Sequence, residues 1–152
     1  MQKSKNAFTM IELIFVIVVL GILAAVALPK FASTKRQADI ASGRADVATV
    51  RSAIVNERQT QIVKGKNSWI PKLSDNSTSL FTGDGDRRLL MYAIKAGSST
   101  DGWTVDNTFL VYQYGVNGTK TQFTYNPDNG TFTCSTTSQS AEQNALCKNL
   151  IN

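Results

Sequence analysis

With 152 residues, the chain has room for one small domain and one appended segment. It has no histidine and only two cysteines, so the usual base for a Ser or Cys nucleophile is missing. A metal centre is equally poorly supplied, because no dense acidic cluster stands in for the missing ligands. The net charge of +5 is modestly basic and no nucleic-acid motif reinforces it, so the chain reads as neither an enzyme nor a dedicated nucleic-acid binder, and no cofactor is implied.

In chain order, a short basic leader, MQKSKNA, comes first. It runs through Phe8-Thr9-Met10-Ile11-Glu12 into Leu13–Leu28, 16 residues without a charge or a strongly polar group. From Phe8 to Phe31 the stretch is 24 residues, broken only by Thr9, Glu12, Pro29 and Lys30. As a helix it spans roughly 24–36 Å, which brackets the roughly 30 Å hydrocarbon core of a bilayer. Lys3 and Lys5 place the leader on the cytoplasmic side and the rest of the chain outside. Glu12 is the anomaly. A carboxylate costs about 2.5–3.5 kcal/mol at the centre of a membrane helix and less near its end, so it calls for a partner.

The residues KNAFTMIEL and the apolar run behind them resemble the signal of type IV prepilins and type II secretion pseudopilins. The resemblance covers about residues 3–33 and implies cleavage between Ala7 and Phe8 by a prepilin peptidase, followed by N-methylation of Phe8. The cut creates an α-amine four residues before Glu12, and the resemblance implies that Glu12 pairs with such an amine on a neighbouring subunit and so sets assembly register. One departure stands out: Ala7 occupies a position where the family usually has glycine. An ordinary secretory signal ending at Ala25-Val26-Ala27 fits less well, since it has no use for Phe-Thr-Met-Ile-Glu. The implied partners are further pilin-like subunits, the peptidase, an assembly platform protein with its ATPase, and the inner membrane. DNA remains a weakly supported partner.

The expected division is a leader at 1–7, a transmembrane and assembly helix at 8–31, and a periplasmic head at 32–152. The helix is predicted to continue from Ala32 to about Gln61, with Ile40, Val47, Val50, Ile54 and Ile62 on one face against the head. Pro29 and Gly43 are the expected bends. Arg44, Arg51 and Arg58 recur every seven residues beside that face. They read as a solvated border or as a basic track for acidic neighbours or DNA.

Lys64–Gly85 reads as a long loop anchored by Trp69, Ile70 and Leu73, with room for a strand or a helical turn. Asp86–Ala96 is predicted as a short capped helix. Asp84-Gly85-Asp86 is a fragment of a calcium loop that also suits an ordinary turn. Some pseudopilins bind calcium in the head, so the resemblance keeps that question in view.

After a turn at Gly97–Gly102, the β signal is strongest. Strands are predicted at Thr108–Val116, Thr119–Asn126 and Thr131–Ser135, joined by Asn117-Gly118 and by Pro127–Gly130, with Trp103–Val105 as a fourth. The fold class is α+β, type IV pilin-like: a long N-terminal helix packed on a small antiparallel sheet. Outside the cytoplasm, Cys134 and Cys147 are expected to form a disulfide that ties a polar tail, Thr136–Asn144, to the last strand. The functional expectation is a structural subunit of a type IV pilus-like filament or a secretion or DNA-uptake pseudopilus. The alternative is a membrane-anchored periplasmic binding module that does not polymerise.

Overall fold

The computed structural model describes residues 8–152. The chain divides into two compact units, with the boundary between Gln37 and Ala38. Helix α1, Met10–Val63, begins in the first unit and ends in the second.

Thr9 caps α1. Its carbonyl accepts the first helical bond, from Leu13 N–H at 3.2 Å, and its hydroxyl accepts Glu12 N–H at 3.3 Å. The helix is continuous through positions 28 and 29, whose side chains lie outside the described residues.

In the second unit α1 buries Gly43, Val47, Val50, Ile54, Glu57 and Gln61, a spacing of alternating fours and threes. Val47, Val50 and Ile54 lie where their periodicity placed them, and half-buried Ile40 packs against the same core. Ile62 does not: it is 55% exposed, and Gln61 takes the inward position. At 100° per residue Ile62 lies roughly 80° from Ile54, off the face. Gly43 has a packing reason beyond any bend. A Cβ there would stand 2.4 Å from the Tyr114 ring and 2.8 Å from Leu150.

The expected loop after α1 contains two short strands, β1 (Ser79–Leu80) and β2 (Gly83–Asp84). The predicted helix at Asp86–Ala96 does not form. Instead β3 (Arg87–Arg88) pairs with β2, and β4 (Ile94–Lys95) pairs with β1. The backbone turns at Gly85 (φ +57°), and the N–H groups of Leu89 and Leu90 bond to the carbonyls of Thr82 and Phe81. Leu89 and Leu90 pack on the core. Long-range backbone bonds and the demands of Arg87 outweigh a weak helical propensity here.

The main sheet is a four-stranded antiparallel meander of β5 (Gly102–Val105), β6 (Val111–Val116), β7 (Thr119–Asn126) and β8 (Thr131–Cys134), in that order. The Asn117-Gly118 turn has both residues at positive φ, 50° and 82°, as a type I′ hairpin requires. Trp103, Tyr112, Tyr114, Phe123 and Phe132 are buried and form, with Phe81, a connected aromatic core, and Tyr125 is buried in the same core. Alternation along β7 is as the sequence suggested, with Thr121, Phe123 and Tyr125 all buried. The fold is α+β, consistent with a type IV pilin.

The C-terminal region holds a second helix, α2 (Ala141–Ile151), where a polar tail was expected. Ser140 and Gln143 make a reciprocal capping box at its start. Leu146, Cys147 and Leu150 are its buried residues. The Cys134–Cys147 disulfide joins β8 to α2.

Candidate assembly surface

The expected site residues fall in different parts of the chain. Ala7 lies outside the described residues. Phe8 precedes α1 and is 79% exposed, while Glu12 occupies the first helical turn. Beyond Glu12, the large apolar side chains of the run, from Leu13 through Val26 and again at Phe31, are all exposed. An apolar surface on every side of a helix suits a lipid or protein surround rather than water.

The arginines at seven-residue spacing each make a bond to the head. Arg44 Nε donates to the Asn149 carbonyl at 2.9 Å, near the end of α2. Arg51 Nε donates to the Phe132 carbonyl of β8 at 2.9 Å. Arg58 donates to Asn67 Oδ1, and its guanidinium lies 5.1 Å from the centre of the Trp69 ring. Each arginine thus fastens α1 to a different part of the head. The spacing was visible in the sequence, but the partners lie 9, 81 and 105 residues away along the chain and were not.

Two acidic groups of α1, Asp46 and Glu57, are used in the same way. Asp46 accepts the Trp103 indole N–H at 2.9 Å, and burial holds its carboxyl above the ordinary carboxylate range against the pull of that bond. Glu57 is 6% exposed and takes two hydrogen bonds from Arg87, at 2.7 Å each, plus one from the Gln61 amide at 2.7 Å. Arg87 also donates to the carbonyls of Ser68 and Trp69. Bonding to Glu57 raises the Arg87 guanidinium above its ordinary value, so the guanidinium stays charged throughout the accessible range. Sequence reading missed this pair because Arg87 was assigned to a helix.

The Asp84-Gly85-Asp86 fragment is the turn between β2 and β3. A resident cation neighbours it: Lys72 Nζ lies 3.0 Å from Asp75 and 3.5 Å from Asp84. Bonding to Lys72 lowers the Asp75 carboxyl, and Gly85 N–H reinforces it. Trp103 is buried and Trp69 packs directly over Gly130, so neither offers a free face for base stacking.

These inward contacts leave an outward face of α1 with a distinct character. Ala41, Ala45, Ala48, Ser52, Val55, Gln59 and Ile62 alternate at fours and threes, and all are exposed. All but Ile62, which lies at the edge of the face, project roughly opposite the buried series, and none of them is charged. Thr49 and Thr60 flank them and turn their hydroxyls back to the helix carbonyls of Ala45 and Asn56, at 2.8 and 3.0 Å. A groove of about 560 Å³ runs beside this face, lined in part by Ala48, Ser52, Asn56 and Leu90. It offers no nucleophile–base pair. The arrangement is suited to packing, not to chemistry.

Residues 2–28 match the prokaryotic N-terminal methylation motif. Over 97% of its length the chain is 26% identical to the type IV major fimbrial protein FimA of Dichelobacter nodosus, covering 99% of that protein. The N-terminus thus carries a prepilin-type methylation motif, and the whole chain is similar to a type IV fimbrial protein. A second relative, the type IV narrow pilus major component PilA5 of Thermus thermophilus, is 52% identical over 48 residues. That match spans 32% of this chain and 41% of PilA5. No solved structure matches. Both relatives are named as major components of type IV fimbriae or pili, in keeping with the packing surface described above.

Proposed function

We propose that the chain is a filament subunit: cut between Ala7 and Phe8 by a prepilin peptidase, N-methylated at Phe8, held in the inner membrane by residues 8–31, and polymerised from there by an assembly platform and its ATPase. The head, from residue 32 onward, lies on the periplasmic side before assembly. Glu12 pairs with the Phe8 amine of a neighbour and sets axial register. Pro29 is the place where the helix bends or loosens as subunits pack.

The observation that favours polymerisation over a solitary anchored binding module is the outward face of α1. A surface helix normally turns its charges to water. This one commits Arg44, Asp46, Arg51, Glu57 and Arg58 to the head and leaves a charge-free face of small and apolar residues. Such a face lets another helix approach closely. A monomeric binding module gains nothing from it.

Intact-mass measurement of the chain from its native cell tests processing. The expected species begins at N-methylated Phe8; a chain beginning at unmodified Met1 in the presence of the peptidase would overturn the proposal. Ala48→Glu and Ser52→Glu test polymerisation. Both are expected to leave processing and head stability intact and to reduce sheared or secreted filament by about tenfold or more, the equivalent of about 1.4 kcal/mol of lost association. Filament at wild-type levels from both variants would favour the anchored module.

A further inference from the structure

The first charges after the apolar run are Lys30, Lys35 and Arg36, all exposed. Phe8–Leu28 as a helix is roughly 31 Å long, close to the roughly 30 Å hydrocarbon thickness, so Lys30 falls at the membrane boundary. At 100° per residue the three side chains project roughly 140°, 100° and 120° apart. They therefore encircle the helix within an axial span of about 9 Å, on the order of the head-group layer. A protein partner contacting one side of the helix would engage one of the three, or two at most. A layer of phosphates surrounding the helix engages all of them.

Two further observations fit this environment. Ser33 and Thr34 donate their hydroxyls to the Lys30 carbonyl at 2.9 and 3.0 Å, so the neutral polar groups of the segment are satisfied on the helix itself. The nearest acid along the helix, Asp39, follows four residues after Lys35 and three after Arg36, one carboxylate beside three cations. Upstream of the apolar run, the basic side chains Lys3 and Lys5 both belong to the leader.

We propose that Lys30, Lys35 and Arg36 form a basic collar that binds the phosphates of anionic phospholipid head groups at the outer end of the membrane helix. The proposal rests on the membrane-anchored reading above. Once the leader is removed, Lys30, Lys35 and Arg36 are the basic side chains that follow the apolar run directly. The waiting subunit is then gripped at its outer end, and its extraction is sensitive to the anionic lipid content of that leaflet.

The test uses the full chain isolated in detergent, its N-terminus defined by intact mass, beside K30Q, K35Q, R36Q and the triple variant. Flotation with phosphatidylcholine vesicles reads anchoring alone, and all forms are expected to float. Titration with phosphatidylglycerol, read by native mass spectrometry, is expected to show affinity weakened on the order of 10- to 100-fold in the triple variant. No single substitution should account for the whole loss, and inorganic phosphate at equal concentration should not displace the lipid. Equal phosphatidylglycerol retention by wild type and triple variant overturns the collar while leaving anchoring in place. Loss carried by one residue alone, or displacement by inorganic phosphate, also overturns it. Failure of the wild type to float overturns the anchored reading instead.

Discussion

Single residues in the head are constrained by close approach more than by propensity. Gly43 sits in the middle of a helix, where glycine costs about 1 kcal/mol relative to alanine. Tyr114 explains the retention, because its ring lies against the glycine while its hydroxyl donates to the Asp39 carbonyl at 2.6 Å. Neither the ring nor Leu150 can withdraw without breaking a bond or opening the core. Gly43→Ala is therefore expected to destabilise the head by about 1–3 kcal/mol, measured by urea unfolding, despite its better helix propensity. A wild-type or higher midpoint would show that the ring can shift.

The buried tyrosines give a pH dependence of definite sign. Burial pushes Tyr114 and Tyr125 up to about 12 from an ordinary 10.0, and pushes Tyr112 up further. A raised folded-state value favours the neutral phenol in the native head. That contribution is complete below pH about 10 and is lost as pH rises toward 12. Stability followed by urea midpoint should fall across this window, with tyrosinate absorbance appearing alongside the loss of near-ultraviolet circular dichroism. Ionisation of these three tyrosines near their ordinary value without loss of structure would contradict the burial.

At the scale of elements, β6 and β7 were readable because alternation and an Asn-Gly turn are local signals. The strands β1 to β4 were not, because two-residue strands carry no periodicity and exist only through their pairing. Helix α2 carried a local signal, Ser140-Ala141-Glu142-Gln143, a capping box whose meaning was hidden by the polar residues around it. The disulfide holds this helix to β8. The two cysteines are 13 positions apart, and closing a loop of that size corresponds to about 3 kcal/mol in the chain-entropy description. The double variant Cys134→Ser, Cys147→Ser is expected to lose about that much. Faster amide exchange should concentrate in Ala141–Ile151, and uniform acceleration across the sheet would place the effect elsewhere.

At the scale of the whole molecule, α1 serves two surroundings. Its residues from Gly43 to Gln61 face the head on one side and present a neutral face on the other, while Phe8–Leu28 is apolar on all sides but for Thr9 and Glu12. Glu12 belongs to this scale because its proposed partner is another molecule. Glu12→Ala is expected to be cleaved and methylated normally, as read by intact mass, yet to yield little or no filament. Normal filament from this variant would remove the register role and leave the subunit reading untouched.

The sequence by itself determined the membrane-compatible helix, its signal with Phe8 and Glu12, and the β meander, because each is written in neighbouring residues. Continuous apolarity, a lone carboxylate and period-two alternation need no distant partner to be recognised. The tertiary structure alone decided what the charges of α1 do. Arg44, Arg51, Arg58 and Glu57 show only their spacing along the chain, and their meaning depends on groups supplied by β8, α2, β3 and the loop before β1. The neutral outward face follows from that choice, since a helix has a free side only once its other side has been taken.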